Sequence, residues 1–319
     1  MSIDDFLWVE RYRPKTVKDC ILPDALKTKF LAFVQNGTIP NMILAGKPGT
    51  GKTTVARAMI EELGFDHFEI NASLKGNIDT LRNEIMQFAS SVSLAGTRKY
   101  VILDEADKVS PAFQEGLRAF IEEYSSVTGF ILTCNYKTRL IEPLHSRCPV
   151  IEFRFPNTDP ASDEQKKMMN ELYKRMTIIL NENQVKFDTT ALAGMVKRWY
   201  PDMRRLIGEL QSYTVGAGMV DAGILANHSE NRLEPLLKAM QARDFSTVRK
   251  WVTANSDIEP SDLYRLLYSS LTKKVTAASI PTVVVVLANY QYKSGFVADQ
   301  DINTSAALAE IMVEVTWNG

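Results

Sequence analysis

The sequence predicts a parallel α/β domain with helices on both faces of its sheet, followed by two all-helical domains. Three observations carry this expectation. The stretch Gly46-Lys47-Pro48-Gly49-Thr50-Gly51-Lys52-Thr53 lies between the apolar run Met42-Ile43-Leu44-Ala45 and the helical stretch 54–60, the strand–loop–helix setting that a phosphate-binding loop requires. Short apolar runs then alternate with amphipathic helical stretches as far as Phe153, the pattern of strands and crossover helices in a parallel sheet. Beyond the break at Pro156-Asn157-Thr158-Asp159-Pro160, helical periodicity dominates. The expected boundaries are 1–155, 156–229 and 230–319.

The glycine loop explains the first domain's chemistry. Glycines let the backbone turn so that several N–H groups converge at the positive end of a helix. Lys52 adds a mobile charge for the β- and γ-phosphates, and the Thr53 hydroxyl is placed to ligate Mg²⁺. A nucleoside triphosphate is therefore the expected ligand.

A length of 319 residues suggests two or three domains. Hydrophobic content of 45% with 24% charged residues is ordinary for a soluble globular protein. The net charge of −1 provides no global attraction to nucleic acid, so any basic surface must be local. Cys20, Cys134 and Cys148 form no CxxC pair, which argues against a disulfide scaffold or a zinc site and for reduced core thiols. The acidic N-terminus lacks the pattern of a signal peptide, and the apolar run Val283–Ala288 is too short to cross a bilayer. A cytoplasmic setting without a membrane partner is expected.

Taken in order, Trp8-Val9-Glu10-Arg11-Tyr12-Arg13-Pro14 mixes aromatic and basic residues and breaks at the proline; by itself it reads equally as a solvated N-terminal segment. Residues 24–36 read as a short helix, with Leu26, Phe30, Phe33 and Val34 on one side. Phe68–Asn71 reads as the second strand, and 78–92 as a helix burying Ile78, Leu81, Ile85, Phe88 and Ala89. The run Tyr100–Leu103 then ends in Asp104-Glu105-Ala106-Asp107. Asp104 is placed to support the Mg²⁺ shell, and Glu105 to polarise a water for attack on the γ-phosphate.

Residues 110–124 read as an amphipathic helix with Phe113, Leu117, Phe120 and Ile121 inward and Gln114, Arg118 and Glu122 on another face. Gly129–Asn135 and Val150–Phe153 are the fourth and fifth strands. Ligand sites of such sheets lie at the carboxyl ends of the strands, where Lys52, Asp104, Glu105 and Asn135 all fall. From 156 to about 225 only helices are expected: 163–183, 189–198 and 202–213. Arg204 and Arg205 in the first turn of the last of these oppose the helix dipole, which points to one of them facing an anion. From 231 onward the stripes Leu233, Leu236, Leu237, Met240 and Leu263, Leu266, Leu267, Leu271 mark further helices, completed by 281–292 and 302–317. They read as core, with subunit packing a second use.

These motifs together resemble the AAA+ sliding-clamp loader subunits: the small subunits of replication factor C and the ATPase subunit of T-even phage clamp loaders. The resemblance rests on Glu10-Arg11-Tyr12-Arg13-Pro14, the glycine loop, Asn71-Ala72-Ser73 with Ile78-Asp79 and Arg82-Asn83, the Asp104–Asp107 box, and Ile131–Asn135 continuing to Ile141–Leu144 and Ser146-Arg147-Cys148. The stretch Pro201–Leu210, running to Val220–Leu225, is similar to the phage branch. The match is good over about 1–225, and beyond that it rests on length and helical character.

The resemblance implies an ATPase that uses ATP and Mg²⁺. Arg11, Tyr12, Arg13 and Pro14 would border the adenine; Gly46, Pro48, Gly49, Thr50, Gly51, Lys52, Thr53 and Thr54 would cradle the phosphates. Thr53 and Asp104 would support the metal, Glu105 would be the catalytic carboxylate, and Asn135 the residue orienting the attacking water. Arg147 resembles an arginine finger acting on the neighbouring subunit's ATP, and Arg204 the lid arginine that senses nucleotide. Lys75, Asn77, Arg82 and Ser110 match regions that track DNA phosphates in the family, while Gln114 and Arg118 resemble residues coupling DNA contact to the ATP site.

The implied partners are copies of this chain and a second loader subunit, in a pentamer of four to one for the phage branch, with a sliding clamp and primer–template DNA. A phage-encoded chain would work in the host cytoplasm. Pro201-Asp202 departs from the glycine–aspartate of cellular relatives, and the cysteine-ligated zinc module of bacterial loaders is absent. Two alternatives stand beside this reading. A branch-migration or replication-initiation motor would carry a C-terminal winged helix, and a non-catalytic nucleotide-binding subunit would have no need of Glu105 or a trans arginine.

Overall fold

The computed structural model describes residues 6–72, 78–91, 98–156, 163–226, 229–256 and 258–318, with backbone only at 78–82, 226 and 229–232. The chain divides into two compact units, 1–220 and 221–319.

The first unit is built on a five-stranded parallel sheet of order β2-β3-β4-β1-β5. Its strands are β1 (Met42–Gly46), β2 (His67–Asn71), β3 (Lys99–Asp104), β4 (Thr128–Cys134) and β5 (Val150–Phe153). β1, β3 and β4 are buried along nearly their whole length because both sheet faces are covered. One face packs Ile43, Ile70, Val101, Leu103, Phe130 and Leu132 against Phe113, Leu117, Phe120 and Ile121. The other packs Leu44, Tyr100, Ile102 and Ile131 against Phe30, Val55, Met59 and Ile60.

The helices of this part of the chain are α1 (Trp8–Arg11), α2 (Asp24–Gln35), α3 (Lys52–Glu62), α4 (Ile78–Ser90), α5 (Pro111–Tyr124) and α6 (Glu142–Arg147). Ser110 caps α5, its hydroxyl accepting from Phe113 N at 3.3 Å, with proline in the first turn. The helical segment that follows holds α7 (Asp163–Glu182), α8 (Thr189–Trp199) and α9 (Met203–Ala217). Its core is Met168, Leu172, Met176, Ile179, Leu192, Met195, Leu206 and Leu210, all buried.

Two sequence expectations need correction here. The region 156–225 is not purely helical: β6 (Lys186–Phe187) pairs in parallel with β7 (Met219–Val220), and two-residue strands are too short to show a period of two. Gln114, expected on another face from the inward-facing residues of its helix, is 1% exposed. Its amide donates to the Arg139 carbonyl at 3.1 Å, and its oxygen accepts from Ile141 N at 2.8 Å.

The second unit comprises α10 (Gly223–Ala226), α11 (Ser229–Gln241), α12 (Phe245–Ala254), α13 (Pro260–Leu271), α14 (Ile280–Lys293) and α15 (Gln300–Glu314). The two expected leucine stripes close on one core with Val248, Val252, Val283, Val286, Leu308 and Ile311. The last helix stops at Glu314 rather than 317, and Trp317 pairs antiparallel with Val275. Among the described residues no helix is long and apolar enough to cross a membrane.

Candidate active site

Between β1 and α3 the glycine loop turns through two left-handed residues, Gly49 (φ +72°) and Gly51 (φ +88°). Side chains rarely adopt that region. The turn aims the first turn of α3, whose N–H groups lack intrahelical acceptors, at the carboxyl edge of the sheet. A cavity of about 320 Å³ opens there. Its lining includes Pro48, Gly49, Thr50, Gly51, Lys52, Thr53, Thr54, Asp104, Glu105 and Asn135 together with the apolar Val9, Ile21, Leu22, Leu172, Met176 and Ile207.

Lys52 is 8% exposed. Its ammonium donates to the carbonyls of Gly46 at 2.8 Å and Lys47 at 2.9 Å and to Asn135 Oδ1 at 3.2 Å. Burial pushes its pKa down, with Asp104 pulling the other way. Thr53 Oγ1 donates to Asp104 Oδ1 at 3.0 Å. Among the described residues no group of three or more His, Cys, Asp or Glu side chains could hold a metal. One hydroxyl and one carboxylate suit Mg²⁺, which takes few protein ligands and completes its shell with phosphate and water.

Glu105 sits in the left-handed region, φ 58°, where β3 breaks into a short 3₁₀ turn, Ala106–Lys108. Gln184 and Arg243 share this backbone region, so what sets Glu105 apart is its place directly after Asp104 on the cavity wall. Its backbone N–H donates to Thr133 Oγ1 at 3.3 Å, the Thr133 hydroxyl donates to Asp104 Oδ1, and its carboxylate pairs with Lys108 Nζ at 2.9 Å. Asp107, the last acid of the box, accepts from Tyr136 N at 3.1 Å and so fixes the segment that carries Asn135.

The first turn of α9 approaches from the other side. Met203, Arg204 and Ile207 line the cavity. Arg205 turns away, its guanidinium 4.0 Å from the centre of the Trp199 ring. The two arginines of that turn therefore have different surroundings, and Arg204 is the one that faces the cavity. Tyr12, Arg13 and Pro14 also line it; Tyr12 Oη accepts from Asn183 Nδ2 at 2.8 Å, and Arg13 is held by Glu10 at 2.6 Å.

Not every expected residue converges. Arg11 is exposed, lies over the Tyr12 ring and does not line the cavity. Gly46 lines an adjoining hollow and reaches the site through its carbonyl. Arg147 lies apart from the cavity, in a hollow with Arg118, Glu142, His145 and Ser146, and pairs with Glu122. Lys75 and Asn77 lie outside the described residues, as does the side chain of Arg82. Sequence reasoning missed Thr133, Lys108 and Arg175, which line the cavity. Thr133 carried a signal, as a polar residue inside the apolar run of β4.

Fold and site together define a P-loop ATPase of the AAA+ class. The ATPase family associated with various cellular activities matches residues 42–157, and the sliding-clamp-loader large subunit AAA+ ATPase lid domain matches residues 164–226. The sliding-clamp-loader large subunit of Enterobacteria phage T4 is 32% identical over 97% of this chain and 96% of its own length. The same subunit of Escherichia phage RB69 matches equally, at 32% over 97% and 96%. The replication factor C small subunit of Sulfurisphaera tokodaii is 31% identical over 98% and 97%. Among solved structures, the Thermotoga maritima RuvB Holliday junction branch migration motor superimposes with a TM-score of 0.53 at 20% identity, over 78% of this chain and 86% of that one, a likeness of fold alone. This chain belongs to the AAA+ sliding-clamp-loader ATPase family.

Proposed function

We propose that the chain is the ATP-hydrolysing subunit of a sliding-clamp loader, binding ATP with Mg²⁺ and using it to place a clamp on primer–template DNA. The observation that carries the reading is the convergence of Lys52, Thr53, Asp104, Glu105, Asn135 and Arg204 on one cavity in a chain matched end to end by clamp-loader subunits. Residues 1–155, 156–229 and 230–319 act as ATPase domain, lid and collar. Copies of this chain assemble with a second subunit, four to one, in the cytoplasm.

Bound ATP with Mg²⁺ supplies the scissile phosphoanhydride and much of the charge neutralisation of its cleavage. Lys52 and the first turn of α3 hold the phosphates. Thr53 and Asp104 would hold the metal. Glu105 takes the proton of the attacking water, which Asn135 orients. Arg147, away from its own cavity, acts on the neighbour's nucleotide, so hydrolysis depends on assembly. Ser110, Lys75, Asn77 and Arg82 contact DNA phosphates without reading sequence. ATP favours the clamp-gripping assembly by making contacts that only this state offers.

Retention of a labelled clamp on primed circular DNA tests the reading. The wild-type chain with its companion subunit loads the clamp in ATP and not in ADP. The Glu105→Gln chain holds the clamp in ATP without releasing it. Loading that proceeds equally without nucleotide contradicts the proposal.

A further inference from the structure

The tip of the glycine loop is in direct contact with the start of α9. Gly49 O accepts from Met203 N at 3.1 Å. A Cβ on Gly49 would lie 1.8 Å from Asp202 Oδ1, so the carboxylate occupies the space that a side chain would need. Gly51 lies just beside this contact: a Cβ there would be 3.7 Å from the Met203 side-chain methyl. Asp202 also caps α9, Oδ1 accepting from Arg205 N at 3.0 Å.

One carboxylate thus meets two elements, the phosphate loop and the helix that carries Arg204. The residues that follow fan out from it. Met203 and Arg204 enter the cavity, and Arg205 crosses Trp199. A helix anchored at its first turn cannot slide or rotate without moving its second residue, so the Asp202–Gly49 contact sets where the Arg204 guanidinium stands relative to Lys52. Gly49 has two reasons to be glycine: its positive φ, and the carboxylate against it.

We propose that Asp202 is a positioning residue for nucleotide binding, seated in a socket made by Gly49 and acting through Arg204. The proposal rests on the ATP-binding reading of the cavity. Cap loss alone would weaken α9 wherever it occurred; a positioning role requires that the effect vanish when Arg204 is absent.

The test is a double-mutant cycle on the full chain, reading the dissociation constant for ATP in Mg²⁺ by calorimetric titration. Asp202→Ala and Arg204→Ala each weaken binding about tenfold, and the double variant stays within about twofold of Arg204→Ala, since coupled residues are not additive. Asp202→Asn, which keeps the cap acceptor and the volume, recovers most of the loss. Asp188→Ala removes the same kind of cap from α8, where Asp188 Oδ1 accepts from Ala191 N at 2.7 Å, and leaves ATP affinity unchanged. A double variant about tenfold weaker than Arg204→Ala, or an Asp202→Ala chain that binds ATP like wild type, overturns the proposal. A wild-type chain that binds no ATP overturns instead the functional reading beneath it.

Discussion

Thr53 Oγ1 donates to Asp104 Oδ1 over 3.0 Å, joining the first turn of α3 to the end of β3 with two oxygens that suit a hard cation. The pair predicts how nucleotide binding depends on metal. In wild type, ATP raises Tm more with Mg²⁺ than with a chelator. Thr53→Val is expected to remove that difference while leaving the protein folded, as differential scanning fluorimetry will show.

Lys52 predicts a separation of stability from binding. Its ammonium is buried and its pKa depressed by desolvation, so the charged form is disfavoured in the folded chain relative to the unfolded one. The unfolded state therefore holds more protons in the window between the depressed value and the ordinary lysine range, and this group's contribution makes stability rise with pH there. At pH 7 the Lys52→Met chain escapes the penalty and is expected to melt no lower than wild type. It is also expected to lose the ATP-dependent rise, which for wild type is worth about 2.7 kcal/mol at a hundredfold excess over Kd.

Thr133 bridges the two acids, donating to Asp104 and accepting from the Glu105 N–H. Thr133→Val removes one of the two hydroxyls that donate to Asp104, Thr53 being the other, and the Thr133 acceptor of the Glu105 N–H. Denaturant unfolding is expected to show a loss of about 1–3 kcal/mol, and kinetics a fall in kcat larger than any rise in KM, because the position of Glu105 matters most when the water attacks the γ-phosphate.

All three thiols are buried, and burial pushes Cys20, Cys134 and Cys148 up to about 12. The thiolate is the reactive species. Ellman's reagent at pH 8 is expected to find none of them in the native chain and all three after denaturation.

Much of this site was legible because its chemistry is local in sequence. The glycine loop, the Asp104-Glu105 box and Asn135 each sit at the end of an apolar run, and a parallel sheet brings such ends together. The dipole conflict at Arg204 and Arg205 was legible as well; it left open which of the two faces the site, a choice that came from the family resemblance, and Trp199, just before the turn, captures Arg205.

Contacts between segments distant in sequence were not legible. Periodicity placed Gln114 away from the apolar face of its helix and only the family resemblance singled it out, yet it is buried and holds the backbone of Arg139 and Ile141. Asp202 read as a helix start, and nothing in its neighbours says that a loop some 150 residues earlier presents a glycine to it. Periodicity reports which face of an element is covered, not what covers it.

The most direct test of the account is ATP hydrolysis by the purified chain, alone and with its companion subunit, sliding clamp and primer–template DNA, in wild type and in Arg147→Ala. The account predicts a nearly idle lone chain and a steep rise only when clamp and DNA are both present. Arg147→Ala should bind ATP normally and lose that rise, by a factor of ~10³ or more if the arginine acts in trans. Hydrolysis that ignores the clamp and responds instead to branched or duplex DNA alone would contradict it.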